Sequence, residues 1–346
     1  MTLPSSATSL DRPATVIDFT EAALIARIRQ RLQPAPAWLL VGIGDDAAVV
    51  EPERNRLEVL SVDALVEGIH FDRRFTPPDA IGHRALAVNL SDLAAMGATP
   101  RLALLSLALP PALLVDDFDL MLDGLTALAA RHRLHVVGGN LTRSTGPLMI
   151  DVTVVGTVKR RQVLRRGGAR PGDEIYVTGT IGAATAGLQM LQASSQEAAS
   201  LPEAADCTRR YLYPAPRVRA GSLLARNRAA SACMDLSDGL ADAIRQVADA
   251  SRVGAEIDAD ALPIDPTARA WFTARGLDAA QEALAGGDDY ELLFTVRPRQ
   301  RGRLVAALRH GEVVLTRIGL CTSCGGLILR TRGTVQPLPH GYTHFR

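Results

Sequence analysis

Several aspartates of this chain lie in short polar segments that interrupt apolar sequence. The segments are Gly-Ile-Gly-Asp-Asp at 42–46, Ser-Val-Asp at 61–63, Leu-Ser-Asp at 90–92, Asp-Leu-Ser-Asp-Gly at 235–239 and Gly-Gly-Asp-Asp at 286–289. A carboxylate among apolar residues costs free energy unless a partner charge or a metal ion compensates it. Mg²⁺ prefers oxygen ligands and bridges carboxylates to phosphates at phosphoryl-transfer sites. The pattern therefore favours a site where several Mg²⁺ ions neutralise a nucleoside triphosphate.

Each segment also has a purely structural interpretation. Asp-Gly and Gly-Asp pairs are common in tight turns, and Asp92 could cap a second helix that begins at Leu93. No Lys or Arg lies between Ala85 and Pro100 to pair with Asp92 locally. We favour a metal cluster because five such segments occur in one chain. The P-loop and protein-kinase motifs are both missing from the sequence, so a nucleotide would bind to a different fold.

Alternating strand and helix patterns must position these acids. In the first half, helices are predicted after a Thr20 cap, at 80–97 and at 117–131, with strands at 57–62, 102–109, 135–137 and 149–158. In the second half, strands are predicted at 174–177, 232–234, 255–257 and 290–296, with helices at 183–191, 240–250 and 304–308. Strands that alternate with helices in both halves predict an α/β or α+β layered fold. Asp63 and Asn140 are expected directly after strands, and 102–109 is expected to be fully buried.

The length of 346 residues and the hydrophobic content of 47% predict two domains with sizeable cores. A cluster of basic residues between 159 and 170, followed by Pro-Gly-Asp, marks the expected boundary. We therefore expect an N-terminal domain at 1–160 and a C-terminal domain at 161–346.

Composition argues against several classes of protein. Lys+Arg 38 against Asp+Glu 37 gives a net charge of +1, without the basic excess typical of nucleic-acid binding. The first residues lack the apolar stretch of a signal peptide. The longest apolar run, 102–115, is too short to span a bilayer. A cytoplasmic protein without membrane or nucleic-acid partners is expected. Four cysteines do not form a disulfide framework, and the lone Cys321/Cys324 pair lacks the second pair that a zinc site needs.

The ordered set of motifs resembles the thiamine-monophosphate kinases, a family in the superfamily of aminoimidazole ribonucleotide synthetase and selenophosphate synthetase. The matching segments are 42–46, 61–71, 87–98, 166–173, 176–179, 235–239, 286–292 and the tail 341–345. They follow the family order from about Phe19 to the C-terminus. Segment 87–98, Ala-Val-Asn-Leu-Ser-Asp-Leu-Ala-Ala-Met-Gly-Ala, is the most specific of them.

The resemblance implies a two-domain enzyme with the aminoimidazole ribonucleotide synthetase-like fold. Its N-terminal domain would be a mixed sheet or half-barrel with helices that binds ATP and Mg²⁺ and forms a homodimer. Its C-terminal domain would be an α/β sandwich that completes the active site. The implied reaction is direct transfer of the γ-phosphoryl group of ATP to thiamine monophosphate, the final step of thiamine diphosphate biosynthesis. The acceptor is already anionic, so metal electrostatics and alignment would carry catalysis.

The family pattern also implies roles for individual residues. The implied magnesium positions are Asp46, Ser61, Val62, Asp63, Asp92, Asn140, Asp235 and Asp238, of which Asp46, Asp92 and Asp235 would act as a catalytic unit. The implied ATP contacts are Gly139, Asn140, Arg166 and Ser237, and the implied thiamine-phosphate contacts are His70, Asp288 and Tyr342. Structural alternatives remain for His70 as a strand histidine, for Tyr342 as tail packing and for Arg166 as a solvated residue.

Three positions depart from the usual family pattern. Val62 replaces a common Thr, so only its backbone carbonyl could be a ligand. Asp288 replaces a frequent Glu, which shortens the reach by one methylene. Asn140 replaces a frequent metal-binding Asp and removes a negative charge.

Other activities remain open from the sequence. Selenophosphate synthetase would need a reactive Cys near the N-terminus, whereas the first cysteine is Cys207, and the hydrogenase-maturation relative would end in Cys, whereas this sequence ends in Arg346. A non-catalytic nucleotide- or thiamine-phosphate-binding protein and a two-metal phosphohydrolase are the alternatives from other classes.

Overall fold

The structure is a computed structural model that describes residues 12–193, 204–308, 314–323, 326–331 and 333–341. The helices are α1 (Glu21–Arg31), α2 (Pro78–Ala95), α3 (Val115–Arg131), α4 (Ala183–Gln192), α5 (Ala204–Leu212), α6 (Val218–Asn227), α7 (Leu240–Ser251), α8 (Pro266–Ala274), α9 (Ala279–Ala285) and α10 (Arg301–Leu308). The strands are β1 (Leu39–Val41), β2 (Val49–Val50), β3 (Leu57–Val66), β4 (Thr99–Leu109), β5 (His135–Arg143), β6 (Met149–Val158), β7 (Glu174–Thr178), β8 (Ala232–Asp235), β9 (Gly254–Asp258), β10 (Leu292–Val296), β11 (Leu315–Thr322), β12 (Leu327–Thr331) and β13 (Thr334–Pro337).

The first half forms a mixed four-stranded sheet in the order β3-β6-β4-β5. Strands β3, β6 and β4 are antiparallel neighbours, and β5 runs parallel to β4. Helix α2 begins at Pro78, where proline costs no helical hydrogen bond, and nearly all of its residues are buried. A helix that is apolar on most sides belongs between layers. It packs against α3 on one side and against the sheet and the second half on the other.

The opposite face of this sheet is open. Leu60, Val62 and Leu104 point to it and are 67%, 56% and 40% exposed. The alternating residues of the same strands point to α2 and α3, and Leu65 and Leu105 among them are buried. The expectation that 102–109 is fully buried is therefore wrong, because only one side of the sheet is covered by helices.

The second half forms a seven-stranded sheet in the order β13-β12-β9-β11-β7-β10-β8. It is antiparallel apart from the β12–β9 pair. Its core includes Trp271, Phe272 and Ile318. At the junction of the halves, Gly221 of α6 lets this helix approach α2 so closely that a Cβ would collide with the Ala94 carbonyl. The two-domain, layered α/β fold expected from the sequence is confirmed.

Two strand ends differ from the sequence expectation. Asp63 lies inside β3 and Asn140 lies inside β5, because both strands continue past the predicted ends. Pairing of β3 with β6 over ten residues explains the first extension.

None of the described helices is both long enough and apolar enough to cross a membrane.

Candidate active site

A cleft of about 430 Å³ lies at the junction of the two halves. Helix α2, strand β3, helix α4, the turn after β8 and the segment before β10 contribute its walls. It brings together seven of the predicted site residues, which are Asp63, His70, Asp92, Asp235, Ser237, Asp238 and Asp288. Acids from distant parts of the chain therefore meet in one cavity.

Asp92 lies within one continuous helix, three residues before its end. The alternative that it caps a second helix is therefore wrong. Its carboxylate accepts a hydrogen bond from the Ser61 hydroxyl on β3. The adjacent Ser91 donates a 2.8 Å hydrogen bond from its hydroxyl to Oδ2 of Asp235, at the end of β8. Consecutive residues of α2 thus hold both halves of the acidic site.

These carboxylates lie in an environment that disfavours their charged form. Burial, together with the charge of Asp92, raises the pKa of Asp235 to about 7. Burial, followed by the charges of Asp92, Asp151 and Asp238, raises the pKa of Asp63 to about 6. Burial also raises the pKa of Asp92. A bound cation would relieve this repulsion, which is the electrostatic signature of a metal or substrate site.

Arg166 provides positive charge near the acids, as its implied contact with ATP requires. Its charge opposes the upward pKa shifts of both Asp92 and Asp235. Its guanidinium donates a 2.6 Å hydrogen bond to the Gln246 side chain on α7 and remains exposed. An exposed guanidinium beside buried acids is well placed to bind an anionic phosphate.

The Gly-Gly-Asp-Asp segment divides its acids between two roles. Asp288 faces the cleft, whereas Asp289 is buried and accepts hydrogen bonds of 2.7 Å from the Gly182 amide and 3.2 Å from the Ala184 amide. Asp289 therefore occupies the amino-terminal end of α4, where a phosphate would otherwise bind. Two residues after Asp289, Glu291 accepts hydrogen bonds from Arg210 and Arg217 and is fully buried. These bonds fix the segment that carries Asp288.

His70 lies in the turn after β3 and lines the same cleft. Its Nδ1 accepts a 3.1 Å hydrogen bond from the Val66 amide. A neutral ring with this bond carries its proton on Nε2.

A second cleft of about 900 Å³ contains three further predicted ATP and metal positions. Asp46, Gly139 and Asn140 line it, together with Asp151 of β6. Gly139 is required by packing, because a Cβ there would collide with the Leu105 carbonyl on β4. Asp151 lines this cleft, and its charge raises the pKa of Asp63 in the first cleft. A charge in one cleft therefore affects an ionisable group in the other.

The donor set suits a hard divalent cation. It consists of carboxylate, hydroxyl and amide oxygens. Among the described residues, no three His, Cys, Asp or Glu side chains surround a common point as ready-made metal ligands. Mg²⁺ commonly uses one or two carboxylates, water and substrate phosphates instead of an all-protein cage. The raised pKa values of Asp63 and Asp235 come from burial and from neighbouring aspartates, and a bound cation would oppose both effects.

Comparison with known proteins gives the family. Residues 44–158 match the family described as AIR synthase related protein, N-terminal domain, and residues 170–331 match its C-terminal domain. The thiamine-monophosphate kinase of Escherichia coli (strain K12) is 41% identical over 330 residues, which cover 94% of this chain and 98% of that protein. The chain belongs to the thiamine-monophosphate kinase family.

Solved structures of the family agree with this assignment. The thiamine-monophosphate kinase from Stenotrophomonas maltophilia K279a is 41% identical with a TM-score of 0.79 and covers 90% of this chain and 96% of its own. A structure described as AaThiL complexed with AMPPCP and TMP is 31% identical with a TM-score of 0.73 and covers 97% of this chain and 100% of its own. The aminoimidazole ribonucleotide synthetase-like fold expected from the resemblance is confirmed.

The remaining candidates from the sequence are Val62, Tyr342 and the Cys321/Cys324 pair. The Val62 side chain points to the open face of the sheet, away from Ser61 and Asp63, so only its backbone could reach an ion in the first cleft. Tyr342 lies outside the described residues, as does Cys324. Cys321 is buried in the second core, and burial raises the pKa of its thiol to about 12.

Sequence reasoning missed three polar residues of the site. Ser91 belongs to the Leu-Ser-Asp motif, but the sequence did not predict that its hydroxyl reaches Asp235. Asp151 lies in an alternating strand, where an acid among apolar residues is a signal that the sequence itself contains. Arg84 lies just before the segment from Ala85 to Pro100, which contains no Lys or Arg. It lines the first cleft and precedes Asp92 by eight residues.

Proposed function

We propose that this chain transfers the γ-phosphoryl group of ATP to thiamine monophosphate and forms thiamine diphosphate and ADP. The observation that carries this proposal is the meeting of Asp63, Asp92 and Asp235 in one cleft of a chain that belongs to the thiamine-monophosphate kinase family. A related structure is described as a complex with AMPPCP and TMP, which supports both substrates. A phosphate oxygen of the acceptor forms the new bond to the γ-phosphorus, and the bond to the bridging oxygen of ADP breaks.

The acids would hold several Mg²⁺ ions. The residues assigned to them are Asp46, Ser61, Asp63, Asp92, Asn140, Asp235 and Asp238, with the backbone carbonyl of Val62. When bound, these ions supply charge neutralisation to the phosphates and to the transferred group. Ser61 and Ser91 orient Asp92 and Asp235 through the hydrogen bonds described above. Because these donors are already in place, little reorganisation is required when substrates bind.

The two clefts divide the substrates. ATP would lie along the second cleft, beside Gly139 and Asn140, and would reach Ser237 and Arg166 with its phosphates. The acceptor would lie in the first cleft, with its phosphate near the acids and its thiamine group near His70, Asp288 and Tyr342. Residues 1–160 would thus supply most of the ATP and metal site, and residues 161–346 would complete the acceptor site. We place the reaction in the cytoplasm, in agreement with the sequence expectation.

A second copy of this chain would pack against the open face of the four-stranded sheet beside the second cleft, which Leu104 also lines. Leu60, Val62 and Leu104 form an exposed apolar patch on that face, and such patches mark interfaces. A sheet normally buries one apolar face, whereas here both faces carry apolar side chains. This homodimer would form through the N-terminal domain. Leu60→Glu should convert it to a monomer in sedimentation experiments, whereas Ile17→Glu, at an exposed position outside the four-stranded sheet, should not.

The function is tested by product analysis with matched acceptors. Purified protein with ATP and Mg²⁺ should form thiamine diphosphate from thiamine monophosphate and should use free thiamine poorly. ATP without acceptor serves as the control for phosphohydrolase activity. Equal product from thiamine, or phosphate release without any acceptor at the full rate, would contradict the proposal. Binding of both ligands without product would indicate a non-catalytic protein.

A further inference from the structure

Arg84 is a buried cation in the wall of an acidic cleft. It lies on α2 at positions i, i+4 and i+8 with Val88 and Asp92, so all three side chains share one face of the helix. Arg84 is 1% exposed, and it is the only lysine or arginine among the described residues that line the first cleft. Burying a guanidinium is costly unless well-placed partners compensate it. Its partners therefore indicate its role.

The partners of Arg84 leave part of the guanidinium unused. Its Nη1 donates to the backbone carbonyl of Tyr211, and the guanidinium stacks over the Tyr211 ring at 4.4 Å from the centroid. Its Nη2 donates a 3.2 Å hydrogen bond to Oδ1 of Asp288. Its Nε is buried and has no hydrogen-bond partner among the described residues. Among the described residues, its one charged hydrogen-bond partner is Asp288, in the other half of the chain.

Asp288 has an unusual conformation that needs such support. Its φ is +67° and that of Tyr290 is +49°, in the left-handed region that costs free energy for residues other than glycine. The backbone is pinned by hydrogen bonds from the Asp288 amide to the Ser237 carbonyl at 2.8 Å and from the Tyr290 amide to the Leu236 carbonyl at 3.0 Å. The side chain would still rotate without donors of its own.

Two donors hold the Asp288 carboxylate, and both end on the same oxygen. The Tyr290 hydroxyl donates to Oδ1 at 2.9 Å, and Arg84 donates to Oδ1 as well. These contacts from described residues leave Oδ2 to accept a hydrogen bond from a ligand. Asp288 is one third exposed toward the cleft, so such a ligand can reach it.

We propose that Arg84 is a positioning residue that fixes Asp288, so that Oδ2 recognises the nitrogen-bearing, cationic organic end of the acceptor. This inference rests on the proposed function and adds a determinant of acceptor affinity. Arg84 acts through Asp288 and does not contact the transferred phosphoryl group. The carboxylate then presents a fixed negative charge to a positively charged heterocycle, and the orientation is set before the acceptor binds.

The test compares Arg84→Met with a matched buried arginine. Arg101 is also buried, stacks over the Trp38 ring at 4.4 Å and donates to the Glu51 carbonyl, but it lines none of the clefts. Arg84→Met should raise the KM for thiamine monophosphate roughly tenfold or more, with less than about a twofold change in the KM for ATP. Arg101→Met should lower the melting temperature without changing either KM. A proportional rise in both KM values for Arg84→Met would indicate a purely structural role and overturn the proposal.

Binding of free thiamine separates this role from direct phosphate binding. Because Asp288 recognises the organic end, Arg84→Met should lower the affinities for thiamine and for thiamine monophosphate by the same factor, as measured by calorimetry. Loss of affinity for the phosphate ester alone would mean that Arg84 binds phosphate, which contradicts the proposal. This measurement needs no turnover, whereas the proposed function is tested by the products that the wild-type protein forms. The two failures are therefore distinguishable.

A double-mutant cycle tests whether Arg84 acts through Asp288. In an Asp288→Asn background, Arg84→Met should add little further loss of thiamine affinity. Additive losses would overturn the proposal. Arg84→Lys keeps the charge and serves if the Met variant does not fold. The Lys variant should bind thiamine with intermediate affinity, because an ammonium lacks the planar fork of the guanidinium. Wild-type affinity in a folded Lys variant at the same pH would show that the fixed orientation of Asp288 is not needed and would overturn the proposal.

Discussion

Ser91 on α2 donates a 2.8 Å hydrogen bond to the carboxylate of Asp235 at the end of β8, so a hydroxyl of the first half holds an acid of the second. This bond lowers the pKa of Asp235, whereas burial and the charge of Asp92 raise it to about 7. The hydrogen bond therefore helps to keep Asp235 in its charged form, which a metal ion requires.

Removal of this hydroxyl should shift the pH dependence of the reaction. In Ser91→Ala, Asp235 loses a donor to its charged form, and its pKa should rise above about 7. The acidic limb of the kcat/KM profile should then move to higher pH. Thr126→Ala removes a hydroxyl that bonds within α3 and should leave the limb in place. A limb that stays unchanged in Ser91→Ala would show that Asp235 does not govern it.

Asp92→Asn should lower kcat by a factor on the order of 10² or more, because it removes charge stabilisation at the phosphoryl group. The fold should survive, since Asp92 lies inside a continuous helix and caps nothing. Thr20→Ala is the opposite case, because the Thr20 hydroxyl accepts from the Ala23 amide at the start of α1. That variant should lose about 1 kcal/mol of stability with unchanged kcat. If Asp92→Asn instead unfolds most of the protein and the remaining soluble fraction is fully active, Asp92 would have a structural role and no catalytic one.

Asp235→Asn should stabilise the metal-free protein at alkaline pH. A carboxyl whose pKa is raised by folding stabilises the native state at low pH, and this contribution is lost as pH rises through the folded pKa of about 7. This loss begins at the ordinary pKa of 3.8, so the melting temperature of the variant should rise relative to that of the wild type from about pH 4 to pH 8 and should be the higher of the two at pH 8. Added Mg²⁺ should stabilise the wild type more than the variant. A variant less stable than the wild type at pH 8 without metal would contradict this account.

Asn140 and Asp151 should have opposite effects on the Mg²⁺ requirement. Both pair in register with Ser106, on either side of β4. An amide oxygen holds Mg²⁺ less strongly than a carboxylate does. Asn140→Asp should shift the curve of initial rate against free Mg²⁺ to lower concentration, and Asp151→Asn should shift it to higher concentration. An unchanged or right-shifted midpoint in Asn140→Asp would rule this out and indicate that the added carboxylate crowds the site.

The motifs predicted that Asp92 and Asp235 meet, but they did not predict that Asp46 lines the other cleft or what holds the acids in place. Asp63, Asp92 and Asp235 were found because acids in apolar segments are informative without a structure. Arg84 was missed because its importance depends on Asp288, which is 204 residues away in sequence. Asp289 was indistinguishable from Asp288 in the motif, and only its hydrogen bonds to the Gly182 and Ala184 amides show that it stabilises a helix end.

Element types were easier to predict than element ends. Strand β6 was predicted with its observed bounds because its apolar residues alternate regularly. Strands β3 and β5 continue past Asp63 and Asn140 because pairing with β6 and β4 outweighs the local signal of polar residues and glycines. The open face of the sheet could not be predicted, since a sequence does not show which apolar strand face is covered.

The most direct test of the central claim is transfer of label from [γ-³²P]ATP with the wild-type protein and Asp92→Asn as its matched control. The account predicts that, with thiamine monophosphate and Mg²⁺, the wild type places label in thiamine diphosphate in an amount equal to the ADP formed, and that Asp92→Asn does so at a far lower rate. Label released as inorganic phosphate at the same rate with and without the acceptor would contradict it.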